Sequence, residues 1–352
     1  MKKTNFLIKI SKKLIPKKPY KIKENTKLLI YIKKKKKIIH EKLKNLYKYL
    51  NKNDVLVRNN TKAIPYIIIG NKDNIKSKIK ILLIKELNKK KNIWDTLVKP
   101  ARKIRVGNKI YFKYKNNNNY LIAEIIDNTT SRGRIIKFIN KNNNKKIKKK
   151  IKKIAYYKVP HYINQNNITN IKYYQNLYAK KNGSILLPTE GINFTKNLFL
   201  KLILKNIKIT DITIHNNLYN LKKIDIENLS NYKINSEELI INKKNCKIIN
   251  KAKINKNKIC SLGVNTLKAL EYSINYNNLL KKNHKFINKF IYSPFKFKIV
   301  DYLISLFHYP NTLPFITLKT FCGSSSHIYK IYNEAIKKNY KFLFYGDLIL
   351  IK

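Results

Sequence analysis

The sequence predicts an α/β (mixed α+β) main domain accompanied by a smaller antiparallel β-barrel of about six strands. Two observations predict it. Between about Ile64 and Ile139, short β-prone runs (IPYIIIG, SKIKILLIKEL, IWDTLVKP, GNKIYFKYK, YLIAEII, GRIIKFI) succeed one another with only Asn, Lys and Gly between them. Closely spaced strands with no intervening helix favour a small antiparallel barrel. Beyond Val159, strand-like and helix-like patterns alternate, which is the signature of an α/β layer.

Each element has its own warrant. The asparagines Asn116 to Asn119 read as a hairpin loop within the barrel. After the barrel, NKNNNKKIKKKIKKI places Ile147, Ile151 and Ile154 at i, i+4 and i+7, so the spacing predicts a short amphipathic helix whose lysines form its wet face or meet RNA. GSILLPTEGINFTKNLFLKLILKN reads as a strand, a Pro/Gly loop and a helix capped by Thr195. KICSLGVNTLKALEYS repeats that layout, with a strand to Leu262, a turn at Gly263 and Thr266 as the expected N-cap. SSSHIYKIYNEAIKKNY is a third capped helix with lysines in its last turn, where the helix dipole favours cations. The end, YKFLFYGDLILIK, reads as strand, Gly-Asp turn, strand.

Composition narrows the partners. Lys and Arg total 78 against 18 acidic residues, a formal net charge of +60, and so basic a chain binds polyanions, nucleic acid first among them. Codon drift in an AT-rich genome accounts for part of the excess, since Lys, Asn, Ile and Tyr abound while Arg and Trp are scarce. The five arginines (Arg58, Arg102, Arg105, Arg132, Arg134) and the one tryptophan, Trp94, all fall between positions 58 and 134. Arg offers a bidentate fork that Lys lacks, so the cluster is a candidate contact surface; surviving codons on a solvated face are the alternative. Lys99, Arg102 and Arg105 are expected to form a polyanion-facing rim, with Trp94 packing the barrel. Three cysteines without CxxC spacing indicate neither a disulfide framework nor a zinc site. No apolar run approaches the ~20 residues of a membrane span.

No GxGxxG, GxxxxGK[ST] or GxSxG is present, which removes support for dinucleotide, P-loop and hydrolase readings. Two strand-to-helix junctions, LPTEGINFT with Thr189, Gly191 and Thr195, and LGVNTLKALE with Lys268 and Glu271, present backbone N–H groups where anionic or polar ligand groups bind. Both are also compatible with ordinary capped connections. His215 ends a predicted strand and His308 lies between an apolar run and a Pro-containing loop, places where functional groups are usually presented; a buried histidine satisfied by the backbone is the commoner explanation for either. Glu237 and the terminal Tyr345, Gly346 and Asp347 complete the candidates.

The ordered set of these segments resembles the S-adenosylmethionine:tRNA ribosyltransferase-isomerase family of queuosine biosynthesis. The segments are NDVLVRNNTKAIPYIIIG, WDTLVKPARKIRVG, YQNLYAKKNGSILLPTEGINFT, GVNTLKALE, FKIVDYLISLFHYPNT and YKFLFYGD, six collinear matches over essentially the whole chain. The resemblance starts close to the first residue, so it argues against a cleaved transit peptide. It implies an α/β domain at 1–63 and 155–352 carrying an inserted barrel at 64–154. It also implies a reaction: the ribosyl group of S-adenosylmethionine, a co-substrate, moves onto a 7-aminomethyl-7-deazaguanine in a GUN anticodon of tRNA. Adenine and methionine leave and epoxyqueuosine results. No metal is implied, nor a membrane, and the expected setting is a monomer in the cytoplasm of a bacterium with a reduced AT-rich genome.

Such chemistry needs a base for the proton next to the sulfonium, for which His215 or His308 is the candidate. Glu237, Glu271 or Asp347 would partner ribose hydroxyls or the amine, Tyr345 would pack a base, and Lys62, Thr189, Gly191, Thr195, Lys268 and Gly346 would contact substrate. Some family positions differ here: Asn193 and Asn235 stand where histidines are usual, Lys268 and Lys62 where arginines are, and NNLYNL has lost its glycines. Those departures leave a second expectation, a basic RNA-binding protein that keeps the scaffold with reduced or lost catalysis.

Overall fold

A computed structural model describes residues 8–72, 77–113, 120–129, 133–139, 144–160, 162–163, 175–216, 224, 229, 232, 234 and 236–352. The expected Asn116–Asn119 loop, Arg132 and Asn235 lie outside these residues. The chain divides into two compact units, Met1–Ala63 with Val159–Lys352, and Ile64–Lys158. Residues 155–158 go with the second unit because Tyr156 and Ile67 exchange backbone hydrogen bonds of 2.7 and 3.0 Å.

In chain order the first segment holds β1 (Lys27–Ile32), β2 (Lys37–Lys42), β3 (Val55–Asn59) and β4 (Thr61–Ala63). The barrel unit holds β5 (Ile67–Lys72), β6 (Lys78–Asn88), β7 (Ile93–Lys99), β8 (Lys109–Lys113), β9 (Tyr120–Asn128), β10 (Arg134–Ile139) and α1 (Asn144–Ile154). The remainder holds β11 (Lys181–Ser184), α2 (Lys196–Leu204), β12 (Lys208–Ile214), β13 (Glu237–Ile241), α3 (Lys243–Ile254), β14 (Ile259–Leu262) and α4 (Val264–Glu271). It ends with β15 (Asn283–Ile287), β16 (Tyr302–Leu306), α5 (Leu313–Cys322), α6 (Ser325–Lys337) and β17 (Leu348–Ile351).

The barrel closes in the order β10-β7-β6-β5-β8-β9, all pairs antiparallel. Alternate residues point inward, as the pleat requires: Ile79, Ile81 and Leu83 from β6 meet Ile110, Phe112, Leu121, Ala123 and Ile136. The stripe of α1 joins that core through Ile147 and Ile151, and Trp94 packs half-buried against it.

The main unit is a nine-stranded sheet in the order β15-β13-β12-β3-β14-β16-β17-β1-β2. Its central strands are apolar on both sides, because both faces are covered. Leu29, Tyr31, Val55 and Val57 face a core shared with α3 to α6, while Leu28, Ile30, Leu56 and Leu262 face α2 and the 3-10 turn Leu43–Tyr49. β12, β3, β14 and β16 run parallel to one another, and β17 runs antiparallel to β16.

Two local expectations change. α4 begins one turn earlier than Thr266 implies: Gly263, at φ +99°, is its N-cap, and the Thr266 hydroxyl donates back to the Leu262 carbonyl at 2.8 Å. The segment 341–347 is a turn and not a strand, since Leu343 adopts a positive φ of 68° and Asp347 N–H closes onto the Lys341 carbonyl. Asp347 fixes that turn. Its fully buried carboxylate accepts from Tyr20 Oη (2.9 Å), Lys27 N (2.8 Å) and Lys341 N (2.7 Å). A buried donor left without its acceptor costs about 1–3 kcal/mol. Asp347→Ala should therefore lower unfolding free energy by about 3 kcal/mol or more and Tyr20→Phe by about 1 kcal/mol, measured by chemical denaturation.

Candidate active site

The shared direction of β12, β3, β14 and β16 brings four chain exits to one edge of the sheet: His215, Asn60–Thr61, Gly263 and His308. β17 and β13 run the other way, so their starts bring Tyr345–Asp347 and Glu237–Glu238 to the same edge. In open α/β sheets ligands bind outside the carboxyl ends of the strands. Of the sequence candidates, His215, His308, Glu237, Tyr345, Gly346 and Asp347 thus share an edge.

His215 is held by three neighbours. Its Nδ1 lies 2.6 Å from Thr61 Oγ1, its backbone N–H donates to Glu238 O, and Nε2 approaches Glu238 Oε2 at 3.9 Å. Gly183, at φ +152°, is the floor under the ring: a Cβ there would stand 2.5 Å from Nε2, so only glycine fits. Burial pushes the imidazole below its ordinary value, partly offset by Glu238. Next to it, Asn216 N–H donates to Ser184 Oγ (2.8 Å) and Asn216 Oδ1 accepts from Asn265 in the first turn of α4 (2.9 Å).

The second cluster centres on Glu190. It lies in a 3-10 turn, Thr189–Gly191, and its buried carboxyl sits over the N-terminus of α4, bonded to the backbone of Val264 and to the Thr189 side chain. Gly263 leaves room for it, since a Cβ there would come within 3.1 Å of the carboxyl carbon. Burial raises the Glu190 pKa, with those hydrogen bonds pulling the other way. His308 Nε2 is 3.9 Å from Glu190 Oε1 and 3.0 Å from Ser305 Oγ. Burial drives His308 down to about 3, so the imidazole is neutral and its approach to Glu190 is not an ion pair. Gly191 packs against the Tyr178 hydroxyl. Asn193 donates to Gly346 O at 3.2 Å, and the buried Oδ1 atoms of Asn193 and Asn176 accept from no partner among the described residues. Tyr345 packs edge-on against Phe344 at 4.7 Å between centroids, and burial pushes its phenol up to about 12.

Lys268 on α4 and Glu237 on β13 form a buried ion pair. Other candidates are occupied with the fold. Glu271 accepts from the N–H groups of Lys298, Ile299 and Val300 at 2.9–3.0 Å, which fastens the loop before β16. Asp347 anchors the turn described above. Thr195 caps α2 by accepting from Leu198 N and donates to Glu24. Lys62 lies half-buried on β4, paired with Asn182 of β11. Lys99 and Arg102 are exposed residues of the barrel unit.

The arginines separate by role. Arg58 pairs with Asp211 at 2.8 Å and stacks on Tyr178 and Phe199. Arg134 donates to the carbonyls of Ala101, Ile104 and Gly133, pinning the Ala101–Lys103 turn. Arg102 and Arg105 are left exposed. Among the described residues no group of three His, Cys, Asp or Glu could hold a metal ion, and no helix is long and apolar enough to cross a membrane.

The residues that sequence reasoning missed are Glu190, Thr61, Ser305, Asn216 and Asn265. Glu190 stood inside the LPTEGINFT junction; a carboxylate just before a Gly in a strand-to-helix loop was the available signal. The others are polar residues at strand ends or, for Asn265, in the first turn of α4, and their partners are distant in sequence: Thr61 meets His215 and Asn265 meets Asn216.

A sequence profile of the family described as "Queuosine biosynthesis protein" matches residues 3–351. The chain is 36% identical to S-adenosylmethionine:tRNA ribosyltransferase-isomerase of Flavobacterium psychrophilum over 353 residues, covering 100% of both chains. It is 35% identical to the protein of that name from Cytophaga hutchinsonii and 36% identical to that from Amoebophilus asiaticus, again over 100% of both chains. A crystal structure of S-adenosylmethionine tRNA ribosyltransferase from Thermotoga maritima superposes with a TM-score of 0.53 at 23% identity, covering 98% of this chain and 99% of that one, which speaks for a common fold. With the profile spanning nearly every residue, the chain belongs to the queuosine biosynthesis protein family.

Proposed function

We propose that the protein transfers and isomerises the ribosyl group of S-adenosylmethionine onto a 7-aminomethyl-7-deazaguanine in the tRNA anticodon. The products are epoxyqueuosine-tRNA, adenine and methionine. The observation that carries this reading is end-to-end similarity at 35–36% identity to relatives named for that reaction. Its setting is the bacterial cytoplasm, and it acts as a monomer.

The edge of the sheet supplies suitable groups. His215 takes the proton from the carbon beside the sulfonium. When the Thr61 hydroxyl points at Lys181 O (3.5 Å), Nδ1–H donates to Thr61 and Nε2 keeps the lone pair a base needs. Glu190 holds a proton in a dry site and donates it to the departing adenine, which receives the electron pair of the broken glycosidic bond. His308, neutral, keeps that carboxyl from being paired as an anion. Asn176 Oδ1 and Asn193 Oδ1 offer acceptors for substrate N–H groups, and Tyr345 packs against a base. The Lys268–Glu237 pair ties α4 to β13. Positioning of this kind can contribute roughly 7–11 kcal/mol to the transfer.

Incubation with precursor-bearing tRNA and S-adenosylmethionine, followed by nucleoside analysis, should yield epoxyqueuosine and one adenine per transfer; absence of both would refute the reading. His215→Asn should slow adenine release by roughly 10²–10⁴, the usual range for loss of a general base. Because burial lowers the His215 pKa, the acid limb of kcat/KM should fall at a pH below the ordinary imidazole value of about 6.5. His308 gives a separate stability signature. Its folded pKa of about 3 lies below the unfolded value of 6.5, so the unfolded state binds the extra proton as pH falls. The His308 contribution is complete above pH 6.5 and drains away down to about 3. His308→Asn should flatten the stability-versus-pH curve in that window, read by denaturation at several pH values.

A further inference from the structure

The transfer leaves a proton to be discharged. A sulfonium cation and a free amine become methionine, adenine and a ribosylated amine, none of which keeps the sulfonium's charge. One proton leaves the carbon beside the sulfonium and one leaves the amine nitrogen, while the departing adenine takes up one. The amine proton can reload Glu190, so each turnover strands the carbon's proton on His215. That side chain is only 12% exposed, Thr61 Oγ1 engages its Nδ1 and Gly183 lies under the ring. The proton on Nε2 therefore needs an exit through the protein.

The sheet offers one. The bond from His215 N–H to Glu238 O adds a rung to the β12–β13 ladder beyond Ile214 and Leu239, so the two side chains leave one face as cross-strand neighbours. Across β13, Phe286 is opposite Glu238 and His284 is opposite Ile240, which sets His284 on that same face and diagonal to Glu238, within reach of a long side chain. The carboxylate lies between two imidazoles: Oε2 is 3.9 Å from His215 Nε2 and Oε1 is 2.7 Å from His284 Nε2. β15 is the outermost strand of the sheet, and side-chain exposure rises along the row, from 12% at His215 to 34% at Glu238 and 65% at His284. The intervening residues turn to the other face, where Glu237 pairs with Lys268 and Lys285 donates to Tyr272 O.

We propose that Glu238 and His284 form a relay that carries the proton from His215 to solvent at the β15 edge. The relay rests on the transfer reading above. The His215 imidazolium gives its Nε2 proton to Glu238 Oε2, and the electron pair of the N–H bond stays on nitrogen. The terminal torsion of a glutamate is broad and two-fold, so a turn about it presents the new O–H to His284 Nε2, whose own proton is then on Nδ1. His284 takes the proton and loses the one on Nδ1 to a buffer base, which returns the imidazole to neutral and Glu238 to carboxylate. Hydrogen bonds in unliganded active sites are often long and tighten when substrate binds, which suits the 3.9 Å step. Histidine fits the exit position because its ordinary pKa of about 6.5 lets it take and give a proton near neutral pH. Both residues act through His215 rather than on the substrate.

The test uses the full chain, with precursor-bearing tRNA and S-adenosylmethionine, and follows adenine release in a dilute, bulky buffer to which imidazole is added at constant pH and ionic strength. His284→Ala should lower kcat at least about tenfold, less than the roughly 10²–10⁴ expected for loss of the base itself, and leave KM unchanged. Added imidazole should restore its kcat toward the wild-type value with saturation and leave the wild type unaffected, a response that a purely structural histidine would not give. Glu238→Gln keeps the side-chain shape but cannot carry a proton, and should slow kcat at least as much. A His284→Ala enzyme that matches the wild type in dilute buffer, or whose slower turnover imidazole does not move, would overturn the relay, as would wild-type turnover by Glu238→Gln. A wild type that releases no adenine in either buffer refutes the transfer reading and the relay with it; wild-type turnover that both variants share refutes the relay alone.

Discussion

The common direction of β12, β3, β14 and β16 is the constraint on which the rest depends. Parallel neighbours need crossover connections, and the helices in those crossovers cover both sheet faces. That coverage is why Leu28, Leu29, Ile30 and Tyr31 can all be buried in a row. It also forces the polar chain exits to one edge, where His215, Thr61, Gly263 and His308 come from segments far apart in sequence. Reversing any one strand would carry its exit to the opposite edge and take a member of one of the two clusters with it.

In a chain of net charge +60 the 18 acidic residues have concentrated duties. Asp54 accepts from the backbone of Asn51 and Lys258, Asp301 from Ile259, Glu271 from three successive N–H groups and Asp347 from two, with Tyr20 as a third donor. These carboxylates tie loops to strand ends, and Lys could not do that work because an ammonium has no acceptor. Three others, Glu190, Glu237 and Glu238, gather at the edge with the histidines. Exposed positions, by contrast, tolerate Lys freely. The basic surface and the carboxylate-lined interior are consequences of one composition acting on two different environments.

The barrel was legible because its signal is local: six alternating runs became six strands, and Ile147 and Ile151 seated α1 as their spacing required. The α/β half was legible as a pattern of elements, and the capped helices at Thr195 and Ser324 formed where their side chains said they would. The end of the chain was not. Lys341 to Asp347 has strand-like composition, but the buried Asp347 carboxylate and its distant donors Tyr20 and Lys27 hold it as a turn. Site assembly was half legible. Chemical type singled out His215 and His308, whereas Glu190 and Thr61 acquire meaning only once the sheet brings them beside those histidines. The same logic divides the arginines: position in sequence grouped them, while packing assigns Arg58 and Arg134 to the fold and leaves Arg102 and Arg105 on the surface.

The central claim is that the sulfonium donor binds at the carboxyl edge of the four parallel strands. Hydrogen–deuterium exchange with and without S-adenosylmethionine tests it most directly. The account predicts protection concentrated in residues 59–61, 183–193, 214–216, 262–266 and 305–308, with the far ends of the same strands unchanged. Protection confined to the opposite edge of the sheet, or to the helices that cover its faces, would contradict it.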